Sequence, residues 1–278
     1  MGTQNNASVD LAAYCARIGY AGKLDATLTT LTSLIEHHIT AIPFENIDVL
    51  LNRGIDISPA AVDKKLIEHR RGGYCFEHNG LFKRVLTAIG FQVETLAARV
   101  VWRAPEGAPP RPRTHCALRV TLDGEAWLVD VGFGGWVATL PLRLSLITPQ
   151  RTGHEAFRVV PAQSGNSHII ETELDGIWRQ LYELSPEPQL DVDFEPLNWF
   201  TSAHPSSIFL KDLMVARTTG DIRYMLMNGR LTIRHRGGSD ERRVLNADEL
   251  AATLGELFGL TVEPAWQPLL ERVANATD

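Results

Sequence analysis

One stretch of this chain leaves little freedom in how it folds: Arg71-Gly72-Gly73-Tyr74-Cys75-Phe76-Glu77-His78-Asn79-Gly80-Leu81-Phe82. From Phe76 the apolar residues Leu81, Phe82, Val85, Leu86 and Ile89 recur three and four apart and Gly90 follows, which predicts a helix over 75–89. Cys75 then stands in the first turn. Unsatisfied N–H groups and the positive end of the helix dipole stabilise a thiolate there and lower the thiol pKa from its free value of about 8.5. Gly72 and Gly73 permit close approach and are expected to leave room for a substrate beside the sulfur. On this stretch alone the plainer alternative stays open, in which Cys75 is a small buried hydrophobe and the glycines form an ordinary turn.

A length of 278 residues is enough for a full core and two or three domains. Cys15, Cys75 and Cys116 are too few and too scattered for a disulfide scaffold and fit a reducing, cytoplasmic setting. Met1 to Asp10 is polar without a charged-then-apolar leader, and no apolar run is long enough to span a bilayer, so secretion and membrane insertion are not expected. Gly2 lacks the Ser or Thr at position six that myristoylation wants, because Asn6 stands there. A net charge of −6 argues against nucleic acid as the main partner. The pair His37-His38 does not predict a metal, since adjacent helical residues do not share a face and no Cys or carboxylate stands at ligand spacing.

Taken in order, residues 8–40 read as helix, turn, helix, with the turn at Gly19-Tyr20-Ala21-Gly22. A proline-started segment at 42–48 and a helix ending near residue 70 lead into the cysteine turn, giving a helical domain at 1–90. From Phe91 the texture alternates as strands do, with a Pro/Gly/Arg loop at 104–113 as a candidate lid; 91–198 is expected to be an antiparallel β-barrel or strongly curled sheet. A mixed α/β domain at 199–278 follows, with strands at 208–218, a hairpin across Asn228-Gly229, and a helix opened by Asn246 and Glu249 and ended by Gly259. Between Lys211 and Arg243, eight bases (Lys211, Arg217, Arg223, Arg230, Arg234, Arg236, Arg242, Arg243) stand against four acids (Asp212, Asp221, Asp240, Glu241). Such an excess suits either a polyphosphate ligand or a solvated strand face.

A nucleophilic cysteine needs a base and a group to orient that base. Asp123-Gly124 is a two-residue hairpin signal that sets Leu122 opposite Glu125 and therefore Asp130 opposite Ala117. His115 then lies on the same face as Asp130 as its diagonal neighbour, within side-chain reach. Cys116 points to the other face and is expected to be core. Phe44, Phe133 and Phe209, core by default as isolated phenylalanines, are also candidates for the apolar walls of a pocket.

These segments resemble the arylamine N-acetyltransferase family. Arg71 to Asn79 is similar to its cysteine motif, Ile42-Pro43-Phe44-Glu45-Asn46 to an N-terminal signature, His115 and Val129-Asp130-Val131-Gly132-Phe133-Gly134 to its histidine and aspartate segments, and Thr201 to Pro205 to a later one. The resemblance spans about 40–210. It implies an α+β multidomain fold: N-terminal helical bundle, central antiparallel β-barrel and C-terminal α/β lid around a Cys-His-Asp core of the cysteine-protease and transglutaminase kind. It also implies transfer of acetyl from acetyl-CoA, as cosubstrate, to the nitrogen of arylamines, arylhydrazines or N-hydroxyarylamines through acetyl-Cys75, without a metal. Trp102, Thr114, Phe133 and Gly134 are placed by the resemblance near coenzyme or acceptor, and His78 is given no role. Alternative readings of the same triad are a cysteine hydrolase or transglutaminase-like enzyme and an amide synthase; a noncatalytic module on the same fold is a fourth. Whether the chain forms a homodimer is left open by its sequence.

Overall fold

The computed structural model of the chain describes residues 8–105, 107–163 and 166–276. Residues 1–7, including Gly2 and Asn6, and Glu106 of the 104–113 loop lie outside the described residues.

Helix α1 (Leu11–Ile18) is capped by the Asp10 carboxylate, which accepts from the Ala13 amide, and ends at Gly19 in the left-handed region. Helix α2 (Leu28–Ala41) starts at a Thr27 cap. A two-residue strand β1 (Phe44–Glu45), a short helix α3 (Ile47–Leu50) and α4 (Pro59–Asp63), which winds on as a π-helical turn Lys64–Glu68, lead to α5 (Cys75–Ile89). That last helix has the bounds its periodicity predicts and stops at Gly90 with φ +110°. Leu31, Leu34 and Ile35 of α2 pack on Leu81, Phe82, Val85 and Leu86 of α5, all fully buried. Each such side chain contributes about 1.5–3 kcal/mol of transfer free energy.

The next eight strands are β2 (Gln92–Val100), β3 (His115–Leu122), β4 (Glu125–Val129), β5 (Leu142–Arg143), β6 (Gln150–Arg151), β7 (Ala156–Pro161), β8 (His168–Leu174) and β9 (Ile177–Gln189). They form one antiparallel sheet in the order β5-β4-β3-β2-β9-β8-β7-β6, curled nearly into a barrel around Leu96, Leu128, Phe157, Val159, Ile170 and Leu184. Its seam is stitched by one side chain: the Gln150 amide accepts from Arg143 N at 2.8 Å and donates to Arg143 O at 3.0 Å. Asp123 and Gly124 both have positive φ, as a two-residue hairpin requires, and Leu122 pairs with Glu125 through to Leu118 with Val129. The 104–113 loop carries no helix or strand among its described residues and is exposed.

Helix α6 (Phe194–Ala203) then leads to β10 (Met214–Thr218), β11 (Ile222–Met227), β12 (Arg230–His235), β13 (Asp240–Val244), α7 (Ala247–Glu256) and α8 (Gln267–Ala274). The strand expected over 208–218 is shorter, because Ser207 caps a 3₁₀ turn at Ile208–Leu210. Asn246 does cap α7, and the Glu249 carboxylate accepts from the Asn246 amide at 2.9 Å. This second sheet also has a member that sequence patterning does not reveal: β1 pairs with β10, Phe44 opposite Ala216 and Glu45 opposite Val215. The N-terminal region thus supplies an edge strand to a C-terminal sheet. Among the described residues no helix is long and apolar enough to cross a membrane, and no group of three or more His, Cys, Asp or Glu is placed to hold a metal ion.

The helical region buries a directed chain of hydrogen bonds. Tyr14 Oη meets His38 Nδ1 at 2.9 Å, His38 Nε2 meets His78 Nδ1 at 2.9 Å, and His78 Nε2 meets the Pro43 carbonyl at 3.2 Å. A carbonyl only accepts, so His78 Nε2 carries a proton, His38 Nε2 donates to His78 Nδ1, and His38 Nδ1 accepts from Tyr14. Each atom is satisfied only while both rings are neutral. Burial lowers the pKa of His38 far below its ordinary value and that of His78 to about 4. The unfolded chain therefore binds more protons than the folded one between about 6.5 and the folded values, and stability falls as pH drops through that window. The expected size for His78 alone is on the order of 3 kcal/mol. His38→Gln can still accept from Tyr14 and donate to His78 but does not titrate. Its melting temperature, scanned from neutral pH down to about 4, should fall less steeply than that of the wild type; parallel curves would remove His38 from the acid response.

Candidate active site

Cys75 is the first residue of α5 and is buried. The turn before it is shaped by chain crossing. Gly73 O accepts from Glu45 N at 2.8 Å, so β1 lies directly against the glycine pair. A Cβ on Gly72 would stand 2.0 Å from Pro43 O, and one on Gly73 would stand 2.6 Å from the Glu77 carboxylate. The expectation that these glycines leave room for substrate is therefore corrected. They make room for the chain's own backbone and for the acid that caps the helix, with Glu77 Oε2 accepting from Tyr74 N at 3.0 Å.

Around that turn lies a buried ion cluster that sequence reasoning misses. Lys65 Nζ bridges Glu77 at 2.8 Å and Asp48 at 3.0 Å, and Arg71 grips Glu45 through Nε at 3.0 Å and Nη2 at 2.7 Å. The Arg71 guanidinium also lies over the Trp266 ring at 4.7 Å, tying the turn to the start of α8. No short motif links Glu45, Asp48, Lys65, Arg71 and Glu77; only the fold does.

The strand β3 delivers His115 and the end of β4 delivers Asp130, as the hairpin register predicts. His115 Nε2 lies 2.7 Å from Asp130 Oδ2, both groups buried. The His115 ring stands close enough to the Cys75 thiol to lower its pKa, and with Nε2 engaged by Asp130 the nitrogen left to address sulfur is Nδ1. Asp130 Oδ1 accepts from Asn79 Nδ2 at 3.0 Å and from Gly132 N at 2.9 Å. Asn79 is a further residue that sequence reasoning misses. It stands four residues after Cys75 on the same helix face, and that spacing was the available signal. Its amide also donates to Cys116 O at 2.9 Å and its oxygen accepts from Val131 N at 3.1 Å. Tyr182 of β9 is another, its ring 4.9 Å from His115 and 5.0 Å from Phe133; burial and the nearby Asp130 carboxylate push its pKa up.

The electrostatics follow from these contacts. Burial raises the Cys75 pKa, but hydrogen bonds from Cys116 and His115 and the imidazolium charge outweigh it and bring the thiol down to about 6. Burial likewise opposes charge on His115, yet the Asp130 carboxylate and the thiolate hold its proton on well above the ordinary imidazole range. Asp130 stays ionised against burial because His115, Asn79 and Gly132 all favour its anion. These shifts favour a thiolate–imidazolium pair, oriented by a carboxylate, at neutral pH.

The remaining candidates divide into two groups. Phe44, Tyr74 and Phe209 pack together beside Cys75, with Phe44 and Phe209 ring centroids 6.2 Å apart and Tyr74 and Phe209 5.8 Å apart. Phe133 stands 5.2 Å from the His115 ring, Gly134 turns with φ +74° against Phe44, and the Thr114 carbonyl oxygen lies 3.7 Å from Cys75 Sγ. Trp102 instead lies on the barrel core, 5.8 Å from Trp136. Cys116 is core, as expected, but its thiol donates to Cys75 O at 3.3 Å. Three of the eight bases between 211 and 243 are used inside the protein, and the other five are exposed. Arg217 bonds Thr40 O and Leu257 O, Arg223 is fully buried on Glu155, and Arg234 meets Glu155, Asp175 and Asp240. Arg242 and Arg243 pair with Asp240 and Glu241. Arg223 and Arg234 thus belong to a structural ion network, and the solvated strand face describes only the exposed remainder of the basic excess.

The thiolate has a direct readout. The rate of Cys75 alkylation by iodoacetamide, followed by peptide mass spectrometry across pH, should rise with a midpoint near 6, below the free-thiol value of about 8.5. Asp130→Asn should move that midpoint upward by withdrawing the charge that holds the imidazolium; an unmoved midpoint would detach Asp130 from the thiol's ionisation.

A family profile described as N-acetyltransferase matches residues 27–267. The chain is 41% identical to the arylamine N-acetyltransferase of Mycobacterium tuberculosis strain H37Rv, over 92% of this chain and 90% of that protein. It is 39% identical to the arylamine N-acetyltransferase / N-hydroxyarylamine O-acetyltransferase of Salmonella typhimurium, over 85% and 83% of the two chains. The structure of Mycobacterium marinum arylamine N-acetyltransferase in complex with CoA superposes with a TM-score of 0.90 at 41% identity, covering 96% of this chain and 98% of that one. The chain therefore belongs to the arylamine N-acetyltransferase family, whose members are acetyl-CoA-dependent acyltransferases.

Proposed function

We propose that this chain moves acetyl from acetyl-CoA to an aromatic amine, hydrazine or N-hydroxyarylamine by double displacement through acetyl-Cys75. The observation that carries the reading is the buried Cys75–His115–Asp130 relay, with its 2.7 Å His115–Asp130 contact, at the start of α5. The Cys75 thiolate attacks the thioester carbonyl, and the first amides of α5, at the positive end of the helix dipole, favour the oxyanion that forms. As the tetrahedral centre collapses, His115 gives its proton to the departing CoA thiolate. The amine, neutral at pH 7 and so already nucleophilic, then attacks the acetyl carbonyl. His115 takes the proton that the amine sheds while Asp130 holds the ring. Phe44, Phe209 and Phe133 supply apolar surface beside sulfur and imidazole that suits an aryl ring. N-hydroxyarylamines enter the acceptor class because the Salmonella relative's name includes O-acetyl transfer.

Acetyl-CoA alone should add about 42 Da to the protein by the chemistry of acylation, on the peptide containing Cys75. An arylamine should discharge that label into an amide product faster than water does, and reciprocal plots against both substrates should be parallel. Label lost at one rate with or without amine would mean hydrolysis. Turnover without label would mean direct transfer in a ternary complex.

Asp130→Asn should lower kcat by about 10³–10⁴-fold, by analogy with the loss of the orienting carboxylate in a serine triad, with the protein still folded by circular dichroism. A folded variant that turns over at the wild-type rate would take Asp130 out of the mechanism.

A further inference from the structure

The thiol of Cys116 stands where the acetyl cycle has no use for a second sulfur. It is buried and donates to the main-chain oxygen of Cys75 at 3.3 Å, and the two sulfurs stand close enough that each shifts the other's pKa. The contact is fixed from both sides. Asn79, one turn along the helix from Cys75, donates to Cys116 O at 2.9 Å, and Gly132 lies so close that a Cβ there would fall 2.7 Å from Cys75 Cα. The third cysteine, Cys15, is on α1 and has no part in this contact.

We propose that Cys116 is a resolving thiol for Cys75, so that the pair forms a reversible modification site when the enzyme meets a hydroperoxide; the proposal rests on the reading of Cys75 as the thiolate nucleophile. The Cys75 thiolate attacks the terminal peroxide oxygen. The S–O bond forms, the O–O bond breaks, hydroxide or alkoxide leaves, and sulfur has given up two electrons as a sulfenic acid. The Cys116 sulfur then attacks the Cys75 sulfur. The S–S bond forms as the S–O bond breaks, and the departing hydroxide takes the Cys116 proton as water. Burial, together with the adjacent Cys75 thiolate, keeps Cys116 protonated in the resting enzyme. Oxidation of Cys75 removes that neighbouring negative charge, so the proton is released more easily at the step that needs it. The disulfide stores the nucleophile in a form that dithiol reductants return, and it closes the route to sulfinic acid.

The test treats the full-length enzyme with hydrogen peroxide and follows intact mass, peptide maps and activity before and after dithiothreitol. The wild type should become about 2 Da lighter through one disulfide, with the Cys75 and Cys116 peptides joined and Cys15 still alkylatable. Dithiothreitol should restore most of its activity. Cys116→Ala, normalised to its own starting activity, should instead gain about 32 Da as a sulfinate and recover less than a tenth of that activity. Wild-type enzyme that passes to the sulfinate without a joined peptide overturns the proposal, and so does a Cys116→Ala protein that recovers as fully as wild type. Acetyl labelling of untreated enzyme at Cys75, scored in parallel, reports on the transferase reading alone, so the two failures are told apart.

Discussion

Everything at the candidate site depends on how closely the end of the β3–β4 hairpin docks on the first turn of α5. Gly132 lies against the Cys75 main chain, and Asn79 is clamped between Cys116 O, Asp130 and Val131 N. One helical asparagine thus holds both strands that bring the histidine and the carboxylate. Because Asn79 and the Gly132 amide satisfy Oδ1 of Asp130, the carboxylate keeps its charge in a buried place while Oδ2 meets His115. Cys75, His115 and Asp130 come from separate elements, and their mutual distances are inherited from main-chain packing.

The same turn is anchored from the opposite side by charges. Glu45, Asp48 and Glu77 face Lys65 and Arg71 in a space closed by Trp266. Such a cluster gives little net stability, since desolvation offsets most of the attraction. Its effect is positional: loss of either base would strand buried carboxylates at the helix start, where one of them caps Tyr74. It also explains why the region before Cys75 spends its glycines on contact with β1. The cluster pulls Glu45 inward, and the backbone must follow.

How much of this was legible depended on whether the determining contact was local. The bounds of α5 follow from a period of 3.6 ended by Gly90, and the His115–Asp130 pairing follows from one two-residue turn, so both stand in the sequence. The resemblance to a known family carried the barrel and the acetyl chemistry further than residue patterns alone. What stayed hidden was long-range. β1 pairs with a strand some 170 residues later, as Phe44 opposite Ala216 shows, and two apolar-flanked residues carry no strand signal of that length. The basic stretch at 211–243 stayed ambiguous for the same reason: Glu155 and Asp175, which neutralise Arg223 and Arg234, lie in the barrel, outside any local charge count.

In the proposed cycle one imidazole must be an acid in the first half and a base in the second, and the site's own charges drive the change. His115 holds its proton through Asp130 and also through the Cys75 thiolate. Acetylation converts that thiolate into a neutral thioester and removes one of the two supports, while burial, which opposes the imidazolium throughout, remains. The proton therefore leaves most readily at the moment CoA needs it, and the ring left behind is neutral and free to accept from the amine. When the amide product departs, the thiolate returns, the imidazolium is favoured again, and the site is reset without any group having moved. Asp130 cannot perform this switch by itself, since its charge is the same in both halves; the alternation belongs to the sulfur, and the carboxylate sets the level about which it swings.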